Sequence, residues 1–158
     1  VVAGLGCWGR TSYLSFFFTE GKRLMLTGGL NWAALDIRMM LVMTNTTADT
    51  QEDVNFLSEI TTLDEYDGSG YSRQALATES VDEDLTNNRA EAKSATPVAW
   101  TTVGAGTRSA QAAIQYIHVG AESANIPLAF IDSGGFPFNG SGSNINANMN
   151  AEGWFQVT

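Results

Sequence analysis

The feature that most constrains this chain is the spacing of its hydrophobic residues, which repeats close to every second position over most of the readable segments. That spacing suits strands, whose successive side chains point to opposite faces, whereas an amphipathic helix needs apolar residues every three to four positions. In Asp36-Ile-Arg-Met-Met-Leu-Val-Met, one face carries Ile37, Met39, Leu41 and Met43, and the other carries Arg38, Met40 and Val42. Both faces are apolar enough to predict a central strand. Asn144-Ile-Asn-Ala-Asn-Met-Asn alternates more cleanly, setting Ile145, Ala147 and Met149 against four asparagines, and predicts a strand with one wet face.

Val98-Ala-Trp-Thr-Thr-Val and the run from Gln111 to Val119 read as two more strands. The turn-forming Gly104-Ala-Gly106 between them predicts that they pair as neighbours. Shorter strands are expected over 71–76, 128–131 and 154–157. A turn or two of helix is expected from Glu52 to Ile60, with Thr50 as its cap. Gly- and Asn-rich connections separate the strands, so the chain is predicted to be mainly β, an antiparallel β-sandwich or jelly-roll-like barrel. Its 158 residues suit one such domain, over 21–158. Residues 1 to about 20 show no clear period and are expected to form an apolar N-terminal arm, ordered by contact with something else.

Charge narrows the possible partners. Eight basic residues face seventeen acidic ones, giving a formal charge of −9, and between Asp49 and Glu91 twelve carboxylates face only Arg73 and Arg89. Such a chain repels phosphates and anionic membranes, so neither nucleic acid nor membrane is an expected partner. The apolar stretch Tyr13-Leu-Ser-Phe-Phe-Phe is far shorter than the ~20 residues of a membrane span. Charged residues are only 16% of the chain, below the ~25% usual for soluble domains, which suits a broad contact surface.

Residues with reactive chemistry are sparse. The single histidine, His118, lies at the end of a predicted strand, and no Gly-x-Ser-x-Gly elbow accompanies it. Cys7, the one cysteine, cannot form a disulfide within the chain and reads as a packed or incidental residue. Gly104-Ala-Gly106 lacks the third glycine of a dinucleotide fingerprint, and there is no phosphate-binding Gly-Lys-Ser/Thr loop. Asp64-Glu65-Tyr66-Asp67, and Asp82-Glu83-Asp84 with Asn87 and Asn88, offer hard oxygen ligands without the spacing of an EF-hand, and a solvated acidic face is the simpler reading. No catalytic residue, metal or cofactor is therefore predicted.

The aromatic residues point to contact. Trp8, Trp32, Trp100 and Trp154 fall one per region, as core or interface anchors would. The loop Gly134-Gly-Phe-Pro-Phe-Asn-Gly140 either folds back as a plug on the core or projects as an anchor into a partner. Tyr13, Phe16, Phe17, Phe18, Phe136 and Phe138 are the expected partner-binding residues, because aromatic side chains anchor interface centres while charges occupy the rim.

Several stretches carry a family resemblance: Gly28-Gly-Leu-Asn-Trp with the 36–47 run, Thr62-Leu-Asp-Glu-Tyr-Asp-Gly-Ser-Gly-Tyr-Ser-Arg, and Asn88-Arg-Ala-Glu. They continue with Val98-Ala-Trp-Thr-Thr-Val-Gly-Ala-Gly-Thr-Arg, Ile126-Pro-Leu-Ala-Phe-Ile-Asp, Gly134-Gly-Phe-Pro-Phe-Asn-Gly and Asn150-Ala-Glu-Gly-Trp. From about Lys22 onward the chain resembles small proteins encoded among the virion genes of tailed bacteriophages. The resemblance implies a non-enzymatic virion component of the capsid decoration or cement kind. Such a protein would bind the major capsid protein or other virion proteins, often as a homo-oligomer, with a trimer favoured. A place in the tail, collar or fibre, or a glycan-binding adhesion module, is the alternative. No catalytic residue carries over.

Overall fold

Strand β2 (Ile37–Met43) sets the architecture, because both of its faces are buried. Ile37, Met39, Leu41 and Met43 enter one hydrophobic core, and Met40 and Val42 enter a second on the opposite side. A strand this apolar can only be stable inside a sheet covered on both faces. The computed structural model describes residues 15–157.

The described elements in chain order are β1 (Phe16–Phe17), helix α1 (Thr19–Thr27), β2, β3 (Gln74–Ala75), β4 (Ser80–Asp84), β5 (Arg89–Lys93), β6 (Val98–Val103), β7 (Ala110–Ile117), β8 (Ile126–Ile131), β9 (Ser143–Ala147) and β10 (Phe155–Val157). Short 3-10 turns lie at Trp32–Ala34, Ala48–Thr50 and Leu57–Glu59. The protein is mainly β and every pairing is antiparallel. One sheet has the order β1-β8-β7-β2-β3; the smaller ones are β10-β5-β4 and β6-β9.

The two smaller sheets supply the layer opposite the large one. Trp100, Val98 and Val103 from β6, Ala92 from β5 and Phe155 from β10 join the β2, β7 and β8 side chains in the first core. Phe155 packs edge-on against both Phe17 and Trp32, with ring centroids 4.7 and 4.9 Å away. The second core lies on the outer face of the large sheet. There Val54, Leu57 and Ile60, from the connection after β2, cover Met40, Ile114, Tyr116 and Phe130.

Several local expectations change. The helix expected over 52–60 is reduced to a 3-10 turn at Leu57–Glu59, following another at Ala48–Thr50, and Val54, Leu57 and Ile60, three apart, all face the second core. Glu59 accepts the Asn55 and Phe56 backbone N–H groups at 2.6 and 3.2 Å, which closes the second of these turns. β6 and β7 do not pair: β6 joins β9, whereas β7 lies between β2 and β8. The 104–109 connection crosses between layers, and its backbone groups are committed elsewhere, as described below.

The arm boundary at residue 20 also needs correction. Phe17 is 3% exposed and Phe18 fully buried, and β1 pairs with β8, so residues 16–18 belong to the domain. α1 follows directly and docks on β8 through Gly21, where a Cβ would press on the Leu128 backbone. Gly28, at φ +72°, ends the helix in the left-handed conformation that glycine adopts without steric cost.

Candidate functional site

The densest polar construction is a corner built on Tyr66. Its ring is 2% exposed and its hydroxyl lies 3.0 Å from the Gly104 carbonyl and 2.7 Å from Asn139 Oδ1, either of which can accept its one proton. The same oxygen accepts the backbone N–H groups of Gly106 at 2.9 Å and Gly140 at 2.8 Å. Asp67 accepts the Thr107 backbone N–H at 2.7 Å and also its hydroxyl, and these bonds hold its carboxyl below the usual aspartate range. Asp64 pairs with Arg108. Side chains added at Gly68 or Gly140 would collide with the Gly104 carbonyl, so three loops meet with no room for a Cβ.

A second construction covers the end of β7. Arg73 donates to Glu65 from Nε and Nη2 at 2.8 and 2.6 Å and to Glu122 from Nη1 at 2.5 Å, with its guanidinium 5.4 Å from the Tyr116 ring centre. Tyr71 bridges Glu65 and the Leu41 backbone N–H, and burial drives its phenol well above the ordinary range. His118 donates its backbone N–H to the Asp36 carbonyl at 2.8 Å. Its Nδ1 is buried without a hydrogen-bond partner.

The acidic 80–93 segment forms the β4–β5 hairpin, not a loose acidic loop. Asp82 lies directly opposite Glu91, a like-charge pairing that is unfavourable by itself. Lys93 Nζ spans the two, 3.1 Å from Asp82 and 2.8 Å from Glu91, while Arg89 reaches Asp84, Glu91 and Glu152. Asn87 donates to Asp84 at 2.7 Å and closes the turn, the leading cause of that carboxyl's lowered pKa. Among the described residues no group of three or more His, Cys, Asp and Glu side chains is placed to hold a metal ion.

A cleft of about 600 Å³ lies between the layers. Met39, Leu41, Ala113 and Ala129 of the large sheet form its floor. Its walls include Phe16 and Phe17 on one side, Ile145 to Asn150 on the other, and the aromatic rings of Trp100, Phe136, Phe138 and Trp154. None of its described lining residues is charged. Volume and lining fall in the range of pockets that receive ligands or anchoring side chains.

The expected contact residues divide at this cleft. Phe136 and Phe138 are half-buried, with ring centres 5.3 Å apart, and pack against the first core from the cleft wall: the loop folds back. Phe16 is half-buried and stacks on Phe130 at 5.3 Å. Phe17 and Phe18 are core residues, so the contact area expected of them is taken up inside the domain. Tyr13, Cys7 and Trp8 lie outside the described residues. The other three tryptophans are anchored by their indole N–H groups, Trp32 to Lys93 O, Trp100 to Ser72 O and Trp154 to Ser94 Oγ.

Sequence reasoning did not single out Tyr66 or Gln115. Tyr66 is an aromatic residue inside an acidic run that ends in Gly-Ser-Gly, a composition that reads as solvated surface. Gln115 carries a legible signal, since it interrupts the face of β7 defined by Ala113 and Ile117. It is fully buried and neither its Oε1 nor its Nε2 has a hydrogen-bond partner.

Comparisons with protein-family models, with curated proteins and with solved structures return no match to this chain. No helix among the described residues is long and apolar enough to cross a membrane.

Proposed function

We propose that this chain is a non-enzymatic structural component of a tailed-phage particle, a capsid decoration or cement protein that binds the major capsid protein and reinforces its lattice. The observation that carries this reading is where the residues of the resemblance go. Three of the resembling stretches, 62–73, 98–108 and 134–140, meet at the Tyr66 corner, where Gly104, Gly106, Asn139 and Gly140 bind one hydroxyl. Those residues are used to lock three loops into one rigid corner, which suits a protein whose task is to hold a shape against load. A protein that binds many symmetry-related copies of one shell protein works best as a closed symmetric oligomer, and a trimer is the proposed state.

The reading is tested by counting copies of the chain in purified particles of the phage that encodes it, using quantitative mass spectrometry, and by locating its density by electron cryomicroscopy. Hundreds of copies on the shell are expected. A dozen or fewer at a vertex or tail would move the protein to the connector, collar or fibre. Absence from particles, or turnover of a substrate lost on His118→Ala, would overturn the proposal.

A further inference from the structure

The cleft between the sheets has three properties that together specify an occupant. First, it is neutral. In a chain with a formal charge of −9, no described residue lining this concavity carries a charge. A charged group entering it would lose its hydration and find no counter-charge among the described lining residues, Asp132 being bonded to Ser15 at the margin, so the occupant is uncharged where it is enclosed. Second, the cleft lies between two strands that are edges among the described residues: β1 pairs with β8 alone there, and β9 with β6 alone. Strand edges can offer backbone N–H and C=O groups to an extended segment, while apolar floors beside them take its alternate side chains.

The third property is the buried carboxamide of Gln115. In register, Gln115 lies between Met39 on β2 and Ala129 on β8, and both of these line the cleft floor. It shares its face of β7 with Ala113, another floor residue. Buried polar groups in folded proteins nearly always find partners, and this one has none on either atom. A carboxamide presents a donor and an acceptor side by side, which is the complement of a peptide group. Gln115 is not itself one of the residues lining the cleft, so pairing with an occupant requires a floor side chain beside it to shift, and Met39, its register partner, is of the type most easily moved aside.

We infer that the cleft is a docking site for an extended, uncharged segment of a partner protein that carries large apolar side chains at alternate positions, one peptide group of which pairs with Gln115. The site goes beyond the particle assignment and does not depend on it. Whichever assembly supplies the partner, the recognition chemistry is the same.

The probe is a displayed library of random peptides about twelve residues long, long enough to cross the cleft as one strand. The full chain is used as bait, and the Ala147→Trp variant, which fills the cleft from its half-buried wall, is the counter-selection. Folding of each variant is checked by circular dichroism. The expected result is enrichment of uncharged peptides with apolar residues two apart, bound at least about tenfold more weakly by Ala147→Trp. Gln115→Met keeps the side-chain volume and removes the amide; it should weaken the same peptides while leaving the fold intact.

Several results would overturn the inference. They are no enrichment, enrichment of charged peptides, or equal binding by wild type and both variants. So would self-association of the wild type that Ala147→Trp abolishes, which would make a second copy the occupant, or a small apolar molecule found in the purified protein by native mass spectrometry. Copy number in particles is unaffected by any of these results, so failure of the cleft and failure of the particle assignment are read separately.

Discussion

The large sheet and the β4–β5 hairpin are both antiparallel β-structure, yet they are held together by different forces. In β2, β7 and β8 nearly every residue is buried, and the sheet is covered on both faces by hydrophobic clusters. In the hairpin, Val81 is 56% and Leu85 80% exposed, and one face is a ladder of Arg89, Glu91 and Lys93 opposite Asp84 and Asp82. Burial of apolar area is insensitive to salt, whereas the pair Lys93 makes with the half-exposed Asp82 is screened, and the pairs on Glu91, 4% exposed, are screened less. The first region therefore fixes the shape, and the second is a local structure that solution conditions can loosen without unfolding the rest.

The largest test of this contrast is Phe18→Ala. Phe18 is fully buried in the second core, beside Phe16 and Phe130, and its truncation should cost ~3–5 kcal/mol in denaturant unfolding. An effect near zero would return residues 16–18 to a separate arm. Next comes Tyr66→Phe, which removes the oxygen that two backbone N–H groups share and should cost ~1–3 kcal/mol with little change in far-ultraviolet circular dichroism. Gln115→Met should move the other way, raising stability by ~1 kcal/mol, because it replaces an unpaired buried amide with an apolar side chain of similar size. A loss of stability there would mean that the amide is already paired.

The pH dependence should separate the two regions by sign. Asp84 has its pKa lowered by Asn87 first and Arg89 in support, so its contribution is present above the unfolded value of about 3.9 and is lost as pH falls through the lower folded value. Tyr71 behaves oppositely. Burial raises its pKa, so its contribution is complete below about pH 10 and is lost as pH rises beyond that. Amide exchange should show the hairpin losing protection on the acid side and the β2 neighbourhood on the alkaline side. The smallest effect belongs to Leu85→Ser at the hairpin turn, within ~0.5 kcal/mol of wild type.

What the sequence made legible follows the same division. Doubly buried β2 and one-sided β9 announce themselves because their side-chain pattern is the cause of their position. α1 gave little signal, since Gly21 is its only buried residue and the apolar face it turns to the core is short, made of Gly21 with the partly buried Leu24 and Met25. Glu20 in its first turn, Arg23 three residues on and Gly28 after its end were the available marks. The hairpin strand Ser80–Asp84 was illegible because charges opposite it, not its own propensity, hold it in place. The β6–β7 pairing failed because Gly104 and Gly106, which look like hairpin residues, are committed to Tyr66, a partner about forty residues away in sequence. The cleft was half visible: the Phe136 and Phe138 loop could be picked out, but the floor beneath it required the register of three strands.

The most direct test joins this contrast to function. Particles lacking the protein are incubated with wild type, with the cleft variant Ala147→Trp and with the hairpin variant Glu83→Lys, then washed in ~1 M salt, where the Debye length is ~3 Å. The account predicts that wild type and Glu83→Lys stay attached and that Ala147→Trp is lost. Release of the wild type by salt, with Ala147→Trp attaching normally at low salt and Glu83→Lys failing, would show that the charged hairpin makes the decisive contacts and would contradict it.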